Sequence, residues 1–133
     1  MCTLVTAGLL DPTGYGRVIR DVQNAPIAIR EEKDASFDER MVQEINTGIY
    51  CFDAQALFDG LKKISLNAKK KEYYLTDIVG ILVRQDKKIH AITLNEAEEG
   101  LGINTRKDLA AADAIMRERI LERLMAEGVS IVD

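Results

Sequence analysis

The chain has 133 residues, of which 47% are hydrophobic and 30% charged, so we expect one folded domain with a real core. Its formal net charge of -4 and its single short lysine cluster at 69–71 exclude a typical nucleic-acid-binding surface. No apolar run approaches the roughly 18 residues needed to span a bilayer, and residues 1–10 lack the basic start of a signal peptide. Two isolated cysteines, Cys2 and Cys51, form neither a disulfide framework nor a zinc-binding pattern. A cytoplasmic protein that binds neither nucleic acid nor membrane is therefore expected.

The first part of the chain alternates between β-prone and turn-forming segments. Residues 3–7 predict a strand, and the proline and glycines of 11–16 predict a tight turn. Arg17–Arg20 and 27–30 predict two paired strands. The highly charged stretch 31–40 predicts a loop that leads into a short helix. Three strands are therefore expected before the first helix.

The middle of the chain predicts a strand, a helix and a basic loop. Residues 45–52 form an apolar run that is expected to be a buried strand. Asp53 is well placed to cap the helix that follows. The expected core face of that helix comprises Leu57, Phe58, Leu61 and Ile64. The basic loop 67–71 then precedes an extended segment at 72–75.

The segment after this loop predicts a helix and a strand. Thr76 is well placed to cap the helix. The apolar stripe expected on it comprises Ile78, Val79, Leu82 and Val83. Residues 88–94 predict the strand, so helices and strands alternate along the chain.

A long helix is expected near the carboxyl end of the chain. Thr105 and Asp108 form a capping-box pattern, and the helix is expected to span 105–127 and to stop at Gly128. Its expected core face comprises Leu109, Ala112, Met116, Ile120, Leu124 and Met125. Residues 129–132 predict a last strand. Strands separated by helices predict the α/β class with a mixed sheet.

The residues offer few signs of a catalytic group. Gly14 and Gly16 are two apart, but the next glycine is Gly48, so the dinucleotide-binding glycine pattern is absent. Because a sheet of this class normally begins with a strand and a ligand-binding turn, the chain reads as though it starts partway through a fold. The single histidine, His90, is interpreted as a partly exposed strand residue.

Two polar features are left open by composition and spacing. The carboxylates of the stretch 31–44 are, taken alone, interpreted as a solvated face. Asn46 lies at the head of an apolar run, where its amide must find partners. It is therefore either a structural bridge or a ligand contact.

Five motifs, in order, give the chain a family resemblance. They are Asp-Pro-Thr-Gly-Tyr-Gly-Arg at 11–17, Glu-Glu-Lys-Asp-Ala at 31–35, Glu-Ile-Asn-Thr-Gly-Ile-Tyr at 44–50, Glu-Tyr-Tyr-Leu-Thr-Asp at 72–77 and Gly-Ile-Asn-Thr-Arg at 102–106. They resemble the sugar-binding half of the uridylyltransferase domain in bifunctional N-acetylglucosamine-1-phosphate uridylyltransferase/glucosamine-1-phosphate acetyltransferase. This family belongs to the sugar nucleotidyltransferase superfamily, and the similarity covers essentially the whole chain.

The resemblance implies a set of sugar contacts. Gly16 would offer its backbone N–H to the sugar, and Glu31 would accept hydrogen bonds from sugar hydroxyls. Asn46 would bond the sugar or its phosphate from the edge of a strand. Glu72 and Tyr74, two apart in an extended segment, would point to the same side and line the pocket near the acetamido group. For Tyr74, packing in the core remains the alternative.

The resemblance also implies roles for two further residues. Thr76 would line the same pocket, although a role as helix cap is equally open and compatible with it. Asn104 would be a ligand of Mg²⁺, a hard ion that prefers oxygen donors. The alternative for Asn104 is that it only begins the turn before the Thr105 cap.

The implied reaction needs no catalytic side chain in this segment. The phosphate oxygen of N-acetylglucosamine 1-phosphate attacks the α-phosphorus of UTP and expels pyrophosphate, which rests on positioning and charge neutralisation. The resemblance predicts a partial Rossmann-like, GT-A-like nucleotidyltransferase domain whose N-terminal nucleotide-binding half is absent, with the helix at 105–127 as the connection onward. UTP and Mg²⁺ would then be bound only with that missing half, and the segment by itself would be inactive.

Two functional classes remain open at this point. The chain is either part of an enzyme that makes UDP-N-acetylglucosamine, a cell-wall precursor, or a non-catalytic sugar-phosphate-binding or oligomerisation module. Either class leaves an open sheet edge and an apolar face. A homodimer or association with a partner chain is therefore expected.

Overall fold

The computed structural model describes residues 1–68 and 70–132, and these contain one mixed sheet. Its strands are β1 (Cys2–Gly8), β2 (Arg17–Arg20), β3 (Pro26–Arg30), β4 (Glu44–Phe52) and β5 (Ile89–Thr93). The helices are α1 (Phe37–Arg40), α2 (Ala54–Leu61), α3 (Asp77–Val83) and α4 (Arg106–Ala126), with a 3₁₀ turn at Ala97–Gly100. The prediction of an α/β fold is confirmed.

The strand order in the sheet is β3-β2-β4-β1-β5. Strand β1 pairs antiparallel with β4 and parallel with β5, whereas β2 pairs antiparallel with both β3 and β4. The predicted hairpin of β2 and β3 is confirmed, and its turn places Asn24 at a φ of 66°. The sheet is therefore mixed, as the alternating pattern predicted.

The described residues fall into two compact units, Met1–Gly100 and a second unit that begins at Leu101. The first unit contains the whole sheet and the buried core. That core comprises Cys2, Leu4, Val18, Ile29, Ile78, Val79, Leu82 and Ile89. These side chains come from four strands and from α3, so burial of α3 against the sheet is what closes the first unit.

Helix α2 reaches the core through a close approach to α3. A Cβ atom at Gly60 would lie 2.9 Å from Cγ1 of Ile78, so only glycine permits this contact. Leu57 and Ile64 pack against the core, as predicted. Phe58 and Leu61 are 61% and 38% exposed, and their predicted place in the core face was wrong because the buried face is centred on Gly60.

Strand β4 is only partly buried, whereas a fully buried strand was predicted: Ile45 in its first half is fully buried, but its second half is exposed on one face. Tyr50 and Phe52 pack against the core, and their rings stack with centroids 5.4 Å apart. Ile49 and Cys51 point the other way and are exposed. Successive strand side chains face opposite sides of a sheet, and the buried core lies on one side. His90 of β5 is also exposed, in agreement with its interpretation as an ordinary strand residue.

The second unit consists mainly of α4. The capping box predicted at its start is present, because the Thr105 hydroxyl accepts the Asp108 amide and the Asp108 carboxylate accepts the Thr105 amide. None of its residues is buried, so the predicted core face was wrong. A single helix has no second element in its own unit against which to bury an apolar stripe.

The end of α4 explains another wrong prediction, the strand at 129–132. The described residues 129–132 contain no strand. The amide of Val129 donates to the Leu124 carbonyl at 3.0 Å, and Gly128 adopts a φ of 93°. This helix-closing bond uses the backbone group that a strand would need, and it confirms that the helix stops at Gly128. No helix in the described part of the chain is both long and apolar enough to cross a membrane.

Candidate functional site

The loop between β1 and β2 places Gly16 next to Glu31. The Tyr15 amide donates to the Pro12 carbonyl at 3.2 Å, which closes the turn, and the Asn46 amide donates to the Gly16 carbonyl at 2.8 Å. A Cβ atom at Gly16 would lie 3.1 Å from Cγ2 of Ile29 and 3.6 Å from Oε2 of Glu31. A side chain at this position would therefore intrude on the surroundings of the Glu31 carboxylate.

Glu31 is held from the other side by Thr76. The Thr76 hydroxyl donates to Oε1 of Glu31 at 2.7 Å, although the two residues are 45 positions apart in sequence. Thr76 occupies the N-cap position of α3 but makes no side-chain cap bond. The prediction that its hydroxyl caps the helix was therefore wrong. A capping residue is normally extended so that its oxygen can accept a backbone N–H, whereas Thr76 is already helical, with φ of -60° and ψ of -24°.

A cavity of about 190 Å³ lies at this point of the first unit. It is lined by Gly14, Glu31, Glu32, Lys33, Lys70, Glu72 and Tyr74. The structure thus brings three of the predicted sugar contacts (Glu31, Glu72 and Tyr74) to one cavity, with Gly16 and Thr76 directly beside Glu31. Glu72 and Tyr74 share a side, as their spacing predicted. A larger hollow of about 530 Å³ along β3 and α3 contains only Thr76 of the predicted set.

Tyr74 lies at the cavity and is not among the buried core residues of the described chain. Burial raises the pKa of its phenol, and the negative charges of Asp34, Glu72 and Glu31 raise it further. The phenol is therefore a neutral group at physiological pH. It can both donate and accept a hydrogen bond next to the carboxylates.

Asn67 positions the segment that carries Glu72. The backbone amide of Asn67 donates to the Glu72 carbonyl at 2.9 Å, and its side-chain amide donates to Asp34 at 3.1 Å. Lys71 adopts a φ of 56°, which completes the tight turn of this loop. The predicted basic loop includes Lys69, which lies outside the described residues. The loop therefore connects the side of the cavity that carries Lys70 and Glu72 to Asp34, in the segment after β3.

The Asn-Thr-Gly run at 46–48 forms a bulge in β4. Gly48 adopts a φ of 81°, and its amide donates to Oδ1 of Asn46 at 3.2 Å. The Thr47 hydroxyl donates to the Val5 carbonyl at 2.8 Å, which ties the bulge to β1. Asn46 is therefore a structural bridge, one of its two predicted roles. Ligand contact through its remaining amide group stays a prediction.

Sequence reasoning missed Tyr50, which lies on the same side of β4 as Asn46. Its hydroxyl is buried without a hydrogen bond of normal geometry to any described residue. Burial raises the pKa of Tyr50 to about 12; the nearby Asn46 side chain lowers it in part, and the charge of Glu31 raises it. Spacing gave no reliable signal, because the bulge at 46–48 interrupts the alternation of side chains along β4.

Arg17 and Glu32 were also missed as a pair. Arg17 is 2% exposed, and its Nη2 atom lies 2.7 Å from Oε2 of Glu32. Two more acidic residues of the stretch 31–44 are paired as well: Glu39 with Arg30 at 3.0 Å and Glu44 with Arg20 at 2.6 Å. The interpretation of this stretch as a solvated face was therefore wrong for these residues, because β2 and β3 present arginines beside it.

Asn104 lies in the second unit, at the start of the Thr105 cap. Its backbone amide donates to Oδ2 of Asp108 at 3.1 Å, as expected for the residue that begins this turn. Hydrogen bonds with the side chain of Thr105 and with the backbone of Asn104 and Thr105 hold the pKa of Asp108 below its usual range. The described residues contain no cluster of three or more Asp, Glu, His or Cys side chains that could hold a metal ion. A single carboxamide oxygen does not make a Mg²⁺ site, so these residues do not fit the ion by themselves.

Comparison with solved structures places the fold among known ones. A solved chain described as a glucose-1-phosphate thymidylyltransferase from Bacillus anthracis, in complex with sucrose, aligns with a TM-score of 0.62. The alignment covers 99% of this chain and 46% of that chain, at 18% sequence identity. This likeness concerns the fold alone.

Sequence comparison gives much closer relatives. No family model matches the chain. The protein named bifunctional protein GlmU from Pelotomaculum thermopropionicum is 52% identical over 131 residues, 98% of this chain and 29% of that protein. Its namesake from Acetivibrio thermocellus is 47% identical over 98% of this chain and 28% of that protein. The one from Streptococcus agalactiae is 45% identical over the whole of this chain and 29% of that protein. The chain spans under a third of the length of these relatives, and it belongs, as a segment of that extent, to the family of bifunctional GlmU proteins.

Proposed function

We propose that the first unit of this chain forms the sugar-phosphate site of a UDP-N-acetylglucosamine pyrophosphorylase, and that its ligand is N-acetylglucosamine 1-phosphate. The observation that carries the proposal is the convergence of polar groups on Glu31 from the loop before β2 and from the segment 72–76. Gly16 lies beside one oxygen of this carboxylate, Thr76 donates to the other, and Glu72 and Tyr74 line the same cavity. Polar groups that converge at a cavity fix the orientation of a small ligand and make its binding specific.

The chemistry of this cavity suits a phosphorylated sugar. Carboxylates and a neutral phenol can pair with sugar hydroxyls and with an acetamido group. Lys33 and Lys70 line the same cavity and supply positive charge for a phosphate. The Thr76 bond leaves Oε2 of Glu31 facing Gly16, so one side of the carboxylate is oriented for a ligand. The segment would act by binding and orientation, not by covalent catalysis.

The GlmU relatives support the wider assignment. In the proposed reaction the sugar phosphate attacks the α-phosphorus of UTP, with release of pyrophosphate, within a GT-A-like nucleotidyltransferase domain in the cytoplasm. The 133 residues contain no phosphate-binding glycine loop, so UTP would be bound by other residues. Mg²⁺ would need carboxylates from those residues as well, because Asn104 offers one oxygen only.

A calorimetric titration of the pure chain with N-acetylglucosamine 1-phosphate tests the proposal. We expect binding that weakens at least about tenfold in Glu31→Gln and with glucose 1-phosphate, because each change removes one side of a polar contact. Glu118→Gln on α4 is the matched control, since Glu118 is exposed and remote in sequence from the cavity residues. A folded wild-type chain that shows no binding would refute the proposal.

A second assay concerns activity. We expect no Mg²⁺-dependent release of pyrophosphate when UTP and the sugar phosphate are added to the 133-residue chain alone. Steady pyrophosphate release that disappears in Glu31→Gln would show that this segment is sufficient for catalysis. That result would contradict the proposal that UTP and Mg²⁺ are bound by other residues, but not the proposal that the cavity binds the sugar phosphate.

We also propose that the chain associates with a second chain, either a copy of itself or a different partner. Ile49 and Ile92 are 54% and 59% exposed, and they lie on strands that flank β1. Apolar side chains of this size on a sheet are typical of surfaces that pack against another element. Light scattering coupled to size-exclusion chromatography tests this, with Ile92→Ser expected to favour the monomer. A wild-type chain that stays monomeric at high concentration would contradict it.

A further inference from the structure

Arg17 joins two segments that form opposite parts of the proposed sugar-phosphate site. It is 2% exposed at the first position of β2. Its Nη1 atom donates to the Tyr15 carbonyl in the loop before β2, and its Nη2 atom contacts Glu32 at 2.7 Å. The buried Nε atom has no partner among the described residues. Burial of an arginine with one unsatisfied nitrogen lowers the stability of the fold. We therefore expect the two contacts that Arg17 does make to serve a purpose besides stability.

Glu32 completes the connection. Its Oε2 atom, which contacts Arg17, also accepts the Gly14 amide at 3.4 Å. Both Gly14 and Glu32 line the cavity. The loop 12–16 is thus linked to the segment after β3 by a carboxylate that holds a backbone amide and a guanidinium at once. On either side of this link lie Gly16 and Glu31, two of the proposed ligand contacts.

We propose that Arg17 and Glu32 are positioning residues for the sugar-phosphate site, which set the distance between the Gly14–Gly16 backbone and the Glu31 carboxylate. The inference rests on the proposed function for the identity of the ligand. Small-ligand sites depend on groups held within a fraction of an ångström, so a loop released from Glu32 would no longer present its amides correctly. The pair would act through Gly16 and Glu31 and would not touch the reacting atoms.

The chain offers a matched control in its second partly buried arginine–glutamate pair. Arg20 contacts Glu44 through two nitrogens, at 2.7 and 2.6 Å. The Glu44 side chain is 20% exposed, close to the 28% of Glu32. Neither Arg20 nor Glu44 lines the cavity of Glu31. Loss of this pair should also cost stability, though less than loss of the Arg17 pair because Arg20 is 23% exposed, and it leaves the two sides of the cavity linked.

Titration of Glu32→Gln and Glu44→Gln with N-acetylglucosamine 1-phosphate separates positioning from general stability. We expect both variants to unfold at a lower temperature than the wild type. Only Glu32→Gln should lose affinity, by about tenfold, because only it loosens the loop. Equal affinities of the two variants would overturn the inference. If Glu32→Gln does not fold, Arg17→Lys provides the same comparison, since an ammonium group cannot reach the Tyr15 carbonyl and Glu32 together.

Amide hydrogen exchange followed by NMR gives a readout without ligand. Exchange at Gly14 and Gly16 should accelerate in Glu32→Gln and remain at the wild-type rate in Glu44→Gln. Unchanged exchange in Glu32→Gln would overturn the inference, whatever the ligand. A wild-type chain that binds no sugar phosphate, yet shows the expected exchange, would refute the proposed function alone. The two failures are therefore distinguishable.

Discussion

Helices α3 and α4 both begin after a threonine and both carry apolar residues at helical spacing, yet they are stabilised in opposite ways. In α3 the side chains of Ile78, Val79, Ile81 and Leu82 are buried, although the Thr76 side chain makes no cap bond. In α4 no residue is buried, but the capping box at Thr105 and the glycine-terminated end at Gly128 are both present. Tertiary packing holds the first helix, and local hydrogen bonds define the second.

This difference shows what an N-cap threonine can do. Where a helix is buried against a sheet, it does not depend on its cap, and the hydroxyl of Thr76 is available to orient Glu31. Where a helix is exposed, the cap is needed for the helix itself, and the Thr105 hydroxyl accepts the Asp108 amide. The same residue type therefore has a site role in one unit and a structural role in the other.

The largest effect is expected from truncation of a buried side chain in α3. Leu82→Ala should lower the free energy of unfolding of the first unit by about 2–5 kcal/mol, because Leu82 is fully buried. Leu109→Ala, at a position 56% exposed in α4, should change it by less than about 0.5 kcal/mol. Urea unfolding followed by tyrosine fluorescence measures this, since the chain has no tryptophan and its four tyrosines precede residue 101. Similar losses in both variants would show that α4 is packed as tightly as α3.

The two threonines give the next effect. Thr76→Val should weaken binding of N-acetylglucosamine 1-phosphate about tenfold, because the Glu31 carboxylate loses a hydrogen bond that orients it. Thr76→Ser should keep most of the affinity. Thr105→Val should leave binding at the wild-type level. Titration calorimetry of the three variants decides this, and a loss of affinity in Thr105→Val would contradict the separation of roles.

The stability of α4 should depend on the residues that cap its two ends, Thr105 and Gly128. Thr105→Ala should cost the helix about 1 kcal/mol, and Gly128→Ala a similar amount, because Gly128 adopts a positive φ. Circular dichroism at 222 nm should report the loss of helix, whereas tyrosine fluorescence from the first unit should stay unchanged. A matched change in both signals would show that the two units unfold together.

The smallest effect concerns acid stability of the first unit. Burial raises the pKa of Glu44, but the hydrogen bonds from Arg20 and Thr6 outweigh it and hold the pKa below its usual value of 4.5. A group whose pKa is lowered by folding contributes stability above its unfolded pKa and loses it as the pH falls through the folded value. Glu44→Gln should therefore show a flatter loss of stability below pH 4.5 than the wild type. Unfolding by urea at a series of pH values measures the slope, and identical slopes would contradict the prediction.

Much of the fold could be predicted because its signals are local. The β2–β3 hairpin follows from the turn around Asn24, and the ends of α4 follow from Thr105, Asp108 and Gly128. Burial could not be predicted in the same way. The apolar stripes of α2 and α4 match helical spacing as well as that of α3, and whether a stripe is buried depends on a neighbouring element that spacing does not show.

The candidate site likewise has features that could be predicted from local sequence and features that could not. The motifs that carry Gly16, Glu31, Asn46, Glu72, Tyr74 and Thr76 could be recognised along the chain, and so could the common side of Glu72 and Tyr74. The pairing of Thr76 with Glu31 could not, because the two residues are 45 positions apart. The Arg17–Glu32 pair was missed for the same reason, since it joins β2 to the segment after β3.

By itself, the sequence determined the five strands of the sheet and the helices between them, the β2–β3 turn and the two ends of α4. These depend on backbone preferences and on short hydrogen bonds, which involve residues a few positions apart. Only the tertiary structure decided the order of strands in the sheet, which face of each element is buried, and which acidic residues are paired. Those outcomes depend on contacts between segments far apart in the chain, where packing and burial, not local preference, set the free energy.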